Sequence, residues 1–482
     1  MNEIKIKALG AAKWNFLGKV VNIGFEIAVG IILARLLVPA DFGLVAIISV
    51  IISFSLIFVN SGFSQSLVRD PEVKDIDYST IFLFNLVIGL ICYSLLFLFA
   101  PLIAGFYNNS ELVVLIRVLG VSIIIGSLTL VQRVRLTRSI DFKELSIIGI
   151  VSSITSGCIS IVLAFNGFGI WSLIAKAMFK ELIQTLLFWL RGEWRPSFNF
   201  SKIIFKKHFF YGSNFLYSAI IGQVYNNILA ITIGKMFSLQ TLGYYNRSQL
   251  FSNTISENIG GVMTEISFPA LAKVQNDKDK FVQGVRLLLK QAFYIIGLLT
   301  IIVFFTAKTF IPLLLGEQWI NAGIYLQYLV VVGFLGVLNS ILVNSISVTG
   351  RARIYLYFQI WALLLNSIVL IIGYFYGIEY MLKLLIVFYF ASYILISYIF
   401  SYYYGYSLLM QLRDFKQFLI LFFILVICGF SISTYIQSSF ESLFYQFMHF
   451  VIITLSFSEY FMLAEYRHIK NFFKLDSISL KQ

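Results

Sequence analysis

Residues Trp14 to Leu37 read WNFLGKVVNIGFEIAVGIILARLL, and this stretch decides what kind of fold the chain can have. A bilayer core takes about 20 mostly apolar residues per helix, and the segment is long enough to cross it. Four polar side chains, Asn15, Lys19, Asn22 and Glu26, interrupt it at steps of four, three and four. Those steps place all four on one helical face. A charged stripe does not face lipid; it lines a wet cavity or meets a neighbouring helix. The segment is therefore a membrane helix inside a bundle.

Comparable apolar stretches recur along the whole chain. They predict fourteen spans, at about residues 14–37, 44–68, 79–101, 112–132, 144–165, 169–190, 209–234, 243–270, 287–307, 319–349, 354–376, 380–404, 417–436 and 442–463. Nothing shows the alternation of a membrane barrel, so the expected fold is an all-α polytopic membrane protein. Composition agrees. Of 482 residues, 59% are hydrophobic and only 12% charged, with mean hydropathy +0.88. Soluble domains carry about 25% charged residues, so a soluble enzyme and a nucleic-acid binder are both excluded. The N-terminal MNEIKIKALGAAKW is basic and leads into a full-length span, which reads as a first membrane helix and not as a cleaved signal. Cys92, Cys158 and Cys428 all lie in apolar runs, an odd set that suits neither a disulfide framework nor a metal site.

The net charge of +13 is unevenly placed. With the N-terminus on the cytoplasmic side, 26 of the 36 basic residues fall in cytoplasmic loops and tails and three, Lys235, Lys308 and Lys383, fall outside. By the positive-inside rule both termini are expected in the cytoplasm. Remaining basic residues lie within spans, where they are candidates for function.

The chain also repeats itself. At an offset of 200, Ala34-Arg35 through Phe42-Gly43 overlies Gly234-Lys235 through Leu242-Gly243, and the turn Gly167-Phe168-Gly169-Ile170 resembles Tyr376-Gly377-Ile378. Two pseudo-symmetric six-helix lobes are expected, at residues 1–205 and 206–405, followed by two more helices and a tail at 406–482. Transporters built from parallel repeats carry their substrate between the halves.

No Walker loop, HExxH, CxxC or GxSxG occurs, and Gly167-Phe168-Gly169 reads as a tight turn between spans. No catalytic residue, metal ligand or cofactor is expected. The candidate substrate contacts are Lys19, Arg117, Lys176, Lys180 and Arg247. Candidates for coupling-ion binding or charge balance are Glu26, Glu181, Glu257 and Glu265. Lys176 and Lys180 stand one turn apart on one face, while Lys180 and Glu181 have the alternative of pairing with another helix to fix packing. Arg35 and Lys290 sit near span ends, where long side chains snorkel to headgroups. A net basic interior suits an anion, most simply a phosphate or pyrophosphate head. The coupling ion would be a proton or sodium.

Several segments together resemble the Wzx-type polysaccharide flippases, whose superfamily also holds multidrug exporters and peptidoglycan-lipid flippases. They are ARLLVPADFGLVAI (34–47), NSGFSQSLVRD (60–70), APLIAGFYNNSELVVLIRVLG (100–120), RSIDFKEL (138–145), NGFGIWSLIAK (166–176), LGYYNRSQ (242–249) and FPALAKVQND (268–277). The resemblance implies a two-lobed, multidrug-exporter-like fold with alternating access to a central cationic cavity. It implies a non-enzymatic carrier of polyprenyl-pyrophosphate-linked oligosaccharide in the bacterial plasma membrane. Membrane lipids, a polysaccharide polymerase and chain-length machinery are the partners it suggests. Two alternatives stand beside it. A multidrug exporter of the same superfamily favours an acidic cavity. A polysaccharide polymerase or ligase needs a sizeable external loop, whereas external loops here reach at most about a dozen residues.

Overall fold

The computed structural model describes residues 2–435 except Ser61, together with Met448, Ile453 and Thr454. The expected span at 442–463 lies almost wholly outside the described residues, as does the tail.

Every described element is helical. The first seven helices are α1 (Asn2–Leu36), α2 (Pro39–Asn60), the short α3 (Phe63–Arg69), α4 (Asp75–Tyr107), α5 (Glu111–Arg138), α6 (Phe142–Phe165) and α7 (Ile170–Arg191). The next four are α8 (Lys202–Met236), α9 (Leu239–Val274), α10 (Lys278–Leu315) and α11 (Ile320–Val348). They are followed by α12 (Ala352–Tyr376), α13 (Ile378–Tyr404) and α14 (Leu408–Tyr435). Among the described residues, nine helical stretches are long and apolar enough to cross a membrane. The chain is a multi-pass membrane protein. α7 has the length as well, but Lys176, Lys180 and Glu181 interrupt its middle.

Some helix ends keep the 200-residue offset. α1 and α8 each have 35 residues and begin and end 200 positions apart, and α2 and α9 start 200 apart. At α2, Pro39 opens the helix where its missing N–H costs nothing. Gly43 and Gly243, also 200 apart, meet face to face. A Cβ on Gly43 would strike the Leu239 carbonyl, and one on Gly243 the Pro39 carbonyl. Only glycine lets these backbones come so close.

Two compact units divide after Gly243. In the first, α4 packs on α5, α5 on α7 and α6 on α7, and α8 lies against α2, α3 and α4. Its buried aromatic cluster gathers Phe63, Tyr78, Phe82 and Trp194. In the second, α10 packs on α11, α11 on α13 and α12 on α13, the order of the first unit repeated. Here Phe293 is stacked between Phe415 at 4.3 Å and Phe422 at 5.1 Å, which fixes α14 on α10. Arg286 adds a bidentate pair with Asp414 at 2.7 and 2.8 Å, and Tyr406 donates to the same carboxylate at 2.7 Å. Forked guanidinium–carboxylate pairs of this kind set orientation as well as energy.

Candidate functional site

The charged group lies in the first unit and is built on α1 and α7. α6 presents small residues to α1. A Cβ on Gly157 would lie 2.7 Å from Phe25 and 2.8 Å from Val29, and Ser146 donates to the Trp14 carbonyl at 2.9 Å. Small residues allow such close membrane-helix packing. With that face of α1 occupied, Glu26 turns toward α7. α7 itself starts at Gly169, whose φ of 54° is one that side-chain-bearing residues rarely adopt. The turn aims the following helix so that Lys176 and Lys180, one turn apart, both reach Glu26.

The result is one carboxylate held by two ammoniums. Lys176 Nζ donates to Glu26 Oε2 at 2.6 Å, and Lys180 Nζ to Glu26 Oε1 at 2.7 Å. The three side chains retain 18% (Lys176), 31% (Glu26) and 38% (Lys180) exposure, so the group is neither sealed nor fully solvated. The two ammoniums outnumber the carboxylate they share.

The other expected residues are placed elsewhere. Lys19 is exposed on α1, and Asn22 between it and Glu26 is half-buried. Arg117 lies on α5 with its guanidinium over the Phe97 ring, 4.1 Å from the centroid, and Nε donating to the Phe97 carbonyl at 3.4 Å. Glu181 is half-buried on α7 and takes no part in the Glu26 group; the charges acting on it are those of Arg133 and Lys180. Arg247 is half-buried on α9 in the second unit. Glu257 and Glu265 are helical in backbone, but their side chains lie outside the described residues.

Spacing along the chain does not point to a second polar group, which the fold assembles. His208, near the start of α8, is 1% exposed and sits between α3 and α4. Its Nδ1 is 2.7 Å from Ser66 Oγ, and its Nε2 is 3.2 Å from Asp77 Oδ1. Beside it Lys207 pairs with Asp70, and Arg138 donates to the Leu67 and Asp70 carbonyls. Asp70 and Lys207 lie outside the spans. The Lys207 hydrogen bond, helped by the Glu72 amide, holds the Asp70 carboxyl below the usual carboxylate range. Asp70, Asp77 and His208 offer ligand atoms within 4.8 Å of one another, yet Ser66, Lys207 and their mutual contacts already use those atoms. The Ser66–His208–Asp77 chain has the connectivity of a hydrolytic triad. Ser66 is only 6% exposed, however, and Asp77 5%, which leaves a reactant no approach. The group is a clasp that fastens α8 to the first unit. Its sequence signal is the acidic-rich run RDPEVKDID from the end of α3 and the basic KKH early in α8, each of which reads as an ordinary charged segment at a span end.

The described residues thus form a multi-pass helical membrane protein with a basic-rich ion group between α1 and α7. The sequence comparisons narrow this: a profile described as polysaccharide biosynthesis protein matches residues 32–323, and the chain belongs to that family. Teichuronic acid biosynthesis protein TuaB of Bacillus subtilis is 27% identical over 322 residues, covering 65% of this chain and 66% of TuaB. The chain thus spans just under two thirds of that relative. Lipopolysaccharide biosynthesis protein WzxC of Escherichia coli is 24% identical, covering 77% of this chain and 76% of WzxC. In fold, the chain is similar to the lipid II flippase MurJ in an inward closed conformation. The TM-score is 0.73 at 14% identity, covering 96% of this chain and 99% of MurJ.

Proposed function

We propose that the chain is a flippase for polyprenyl-pyrophosphate-linked oligosaccharide repeat units, moving them across the bacterial plasma membrane for surface polysaccharide synthesis. The observation that carries this reading is the Lys176–Glu26–Lys180 group, two ammoniums on one carboxylate between α7 and α1, which we read as an anion site. Family membership, the names of the relatives and the MurJ-like fold support it. The reading includes fourteen spans in two six-helix repeats plus two helices, cytoplasmic termini, alternating access and no catalytic step. Energy comes from a proton or sodium gradient, and a polymerase with chain-length machinery takes up the product.

Chemically, the ammoniums of Lys176 and Lys180 attract the pyrophosphate, since charge-assisted hydrogen bonds to phosphate oxygens are short and strong. At this group a cationic drug would meet no unclaimed carboxylate, since both Glu26 oxygens are already held by lysine. The deciding experiment is a deletion strain. Lipid-linked repeat units should accumulate on the cytoplasmic leaflet and clear when the gene is restored. Normal distribution of those lipids in the deletion strain would overturn the reading.

A further inference from the structure

Glu26 gives Lys176 and Lys180 the kind of partner that a substrate oxyanion would give them. Its two oxygens each receive one ammonium, at 2.6 and 2.7 Å, and two oxygens of one phosphoryl group present a similar pair of acceptors to the same lysines. We infer that Glu26 is a built-in competitor of the transported head group: a carboxylate that holds Lys176 and Lys180 in place while the site is empty, gives them up to the pyrophosphate, and reclaims them to expel it. The inference rests on the flippase reading and assigns Glu26 its part within it.

Three observations carry it. The group is not sealed, with side chains 18–38% exposed, and ion pairs that keep such exposure are weak as glue between helices. Two ammoniums share one carboxylate, so Glu26 alone does not balance them. The third is that the scaffold does not require the group. Aligning the helix starts Ile170 and Ile378 sets Lys176 opposite Leu384 and Lys180 opposite Phe388. At the 200-residue offset Glu26 faces Asn226. The second repeat builds the same helices with no charge at these three positions.

Competition has a consequence that packing does not. Removing the Glu26 charge should make the anion bind more tightly, because both lysines lose the carboxylate that competes for them and the site becomes more positive by one charge. Release should slow correspondingly, since tighter ground-state binding of cargo deepens the well from which it must leave.

The test uses full-length protein in lipid nanodiscs, with inorganic pyrophosphate as the probe and calorimetry as the readout. Glu26→Gln should bind pyrophosphate at least about tenfold more tightly than wild type. Glu26→Asp, which keeps the charge on a shorter stem, should fall between. In vesicles, Glu26→Gln should move lipid-linked saccharide more slowly than wild type despite the tighter binding. If Glu26→Gln does not fold, Glu26→Asp decides alone: tighter binding supports competition, and equal or weaker binding overturns it. Wild type that binds pyrophosphate while neither variant binds it more tightly overturns the competitor role and leaves the flippase reading standing. No binding by wild type or by any folded variant overturns both this inference and the assignment of Lys176 and Lys180 to a pyrophosphate head.

Discussion

The two repeats of this chain share a scaffold and differ in what they do with it. α7 and α13 both begin after a glycine with positive φ, 54° at Gly169 and 94° at Gly377. Both then pack against the helix before them and the helix two before. Yet α7 carries Lys176 and Lys180 where α13 carries Leu384 and Phe388, the latter only 6% exposed. Their opening helices also differ. α1 sits on α6 by close packing of small residues, whereas α8 is fastened to α2, α3 and α4 by aromatic contacts and the His208 clasp. Turns, lengths and packing order are what the fold needs in both copies. At the positions of Glu26, Lys176 and Lys180 charge appears in one copy only, which marks this group as serving something other than folding.

The strongest way to break this comparison is to give the first repeat the residues of the second. Lys176→Leu with Lys180→Phe should lower transport by about 30-fold or more, which corresponds to about 2 kcal/mol for a lost charged contact. Protein level should stay within about twofold, because the group is only partly buried and partly exposed ion pairs add little to stability. Flipping in vesicles and immunoblotting provide the two readings. Wild-type transport by this variant would show that the charges are as dispensable in the first repeat as in the second.

Next in size is a test of the shared scaffold. Gly43→Ala and Gly243→Ala each push a methyl group into a backbone carbonyl of the opposite copy. Each should cost about 1–3 kcal/mol, read as thermal unfolding in detergent. The effects should match, since the contact is symmetric. One variant tolerated and the other not would show that the two copies of this turn are not equivalent.

Much of this organisation is legible in the sequence because hydropathy and turn chemistry are local. The repeat of the segment 34–43 at 234–243 anticipates the equal lengths of α1 and α8. The four-residue spacing of Lys176 and Lys180 is enough to put them on one face. What the sequence withholds is partnership. That Glu26 and not Glu181 receives both lysines depends on α6 seating α1 through Ser146 and Gly157, a contact between residues more than a hundred positions apart. His208 is hidden for the same reason: its partners Ser66 and Asp77 precede it by 142 and 131 residues, and the charge around Asp77 suits a loop. Arg117 shows the limit from the other side. Depth within a span makes it a cavity candidate, but its guanidinium covers Phe97, a choice that spacing along α5 does not encode.

The difference between α1 and α8 can be sharpened at His208. Replacing it with leucine keeps bulk and removes both hydrogen-bonding nitrogens, leaving the Asp77 carboxylate without its histidine partner. A buried polar group deprived of its partner costs about 1–3 kcal/mol. Hydrogen exchange should rise at the start of α8 while α1, seated by packing, keeps its protection. Equal loosening of both helices would mean that the clasp supports the whole unit and not α8 in particular.

The smallest effect, and the finest test of the clasp, lies at its rim. Lys207 is 58% exposed and Asp70 10%, so this pair is worth less than about 1 kcal/mol, and Lys207→Gln should lower stability by no more than that near neutral pH. Its pH dependence has a definite sign. Because the folded Asp70 carboxyl is held below its ordinary value, its contribution is complete above about pH 4 and fades as pH falls through the lower, folded value. Lys207 is shifted the opposite way, upward, by its hydrogen bond to Asp70. Its contribution is complete below its ordinary value and fades only as pH rises through a still higher one. Between those limits both groups are charged, and the gap in unfolding midpoint between wild type and Lys207→Gln should be flat. It should close on acidification as Asp70 takes up its proton, while the gap between wild type and His208→Leu, which rests on burial and hydrogen bonding as well as charge, should stay open longer. If the Lys207→Gln gap drifted across the neutral range, the Asp70 carboxylate would not be the group that Lys207 stabilises.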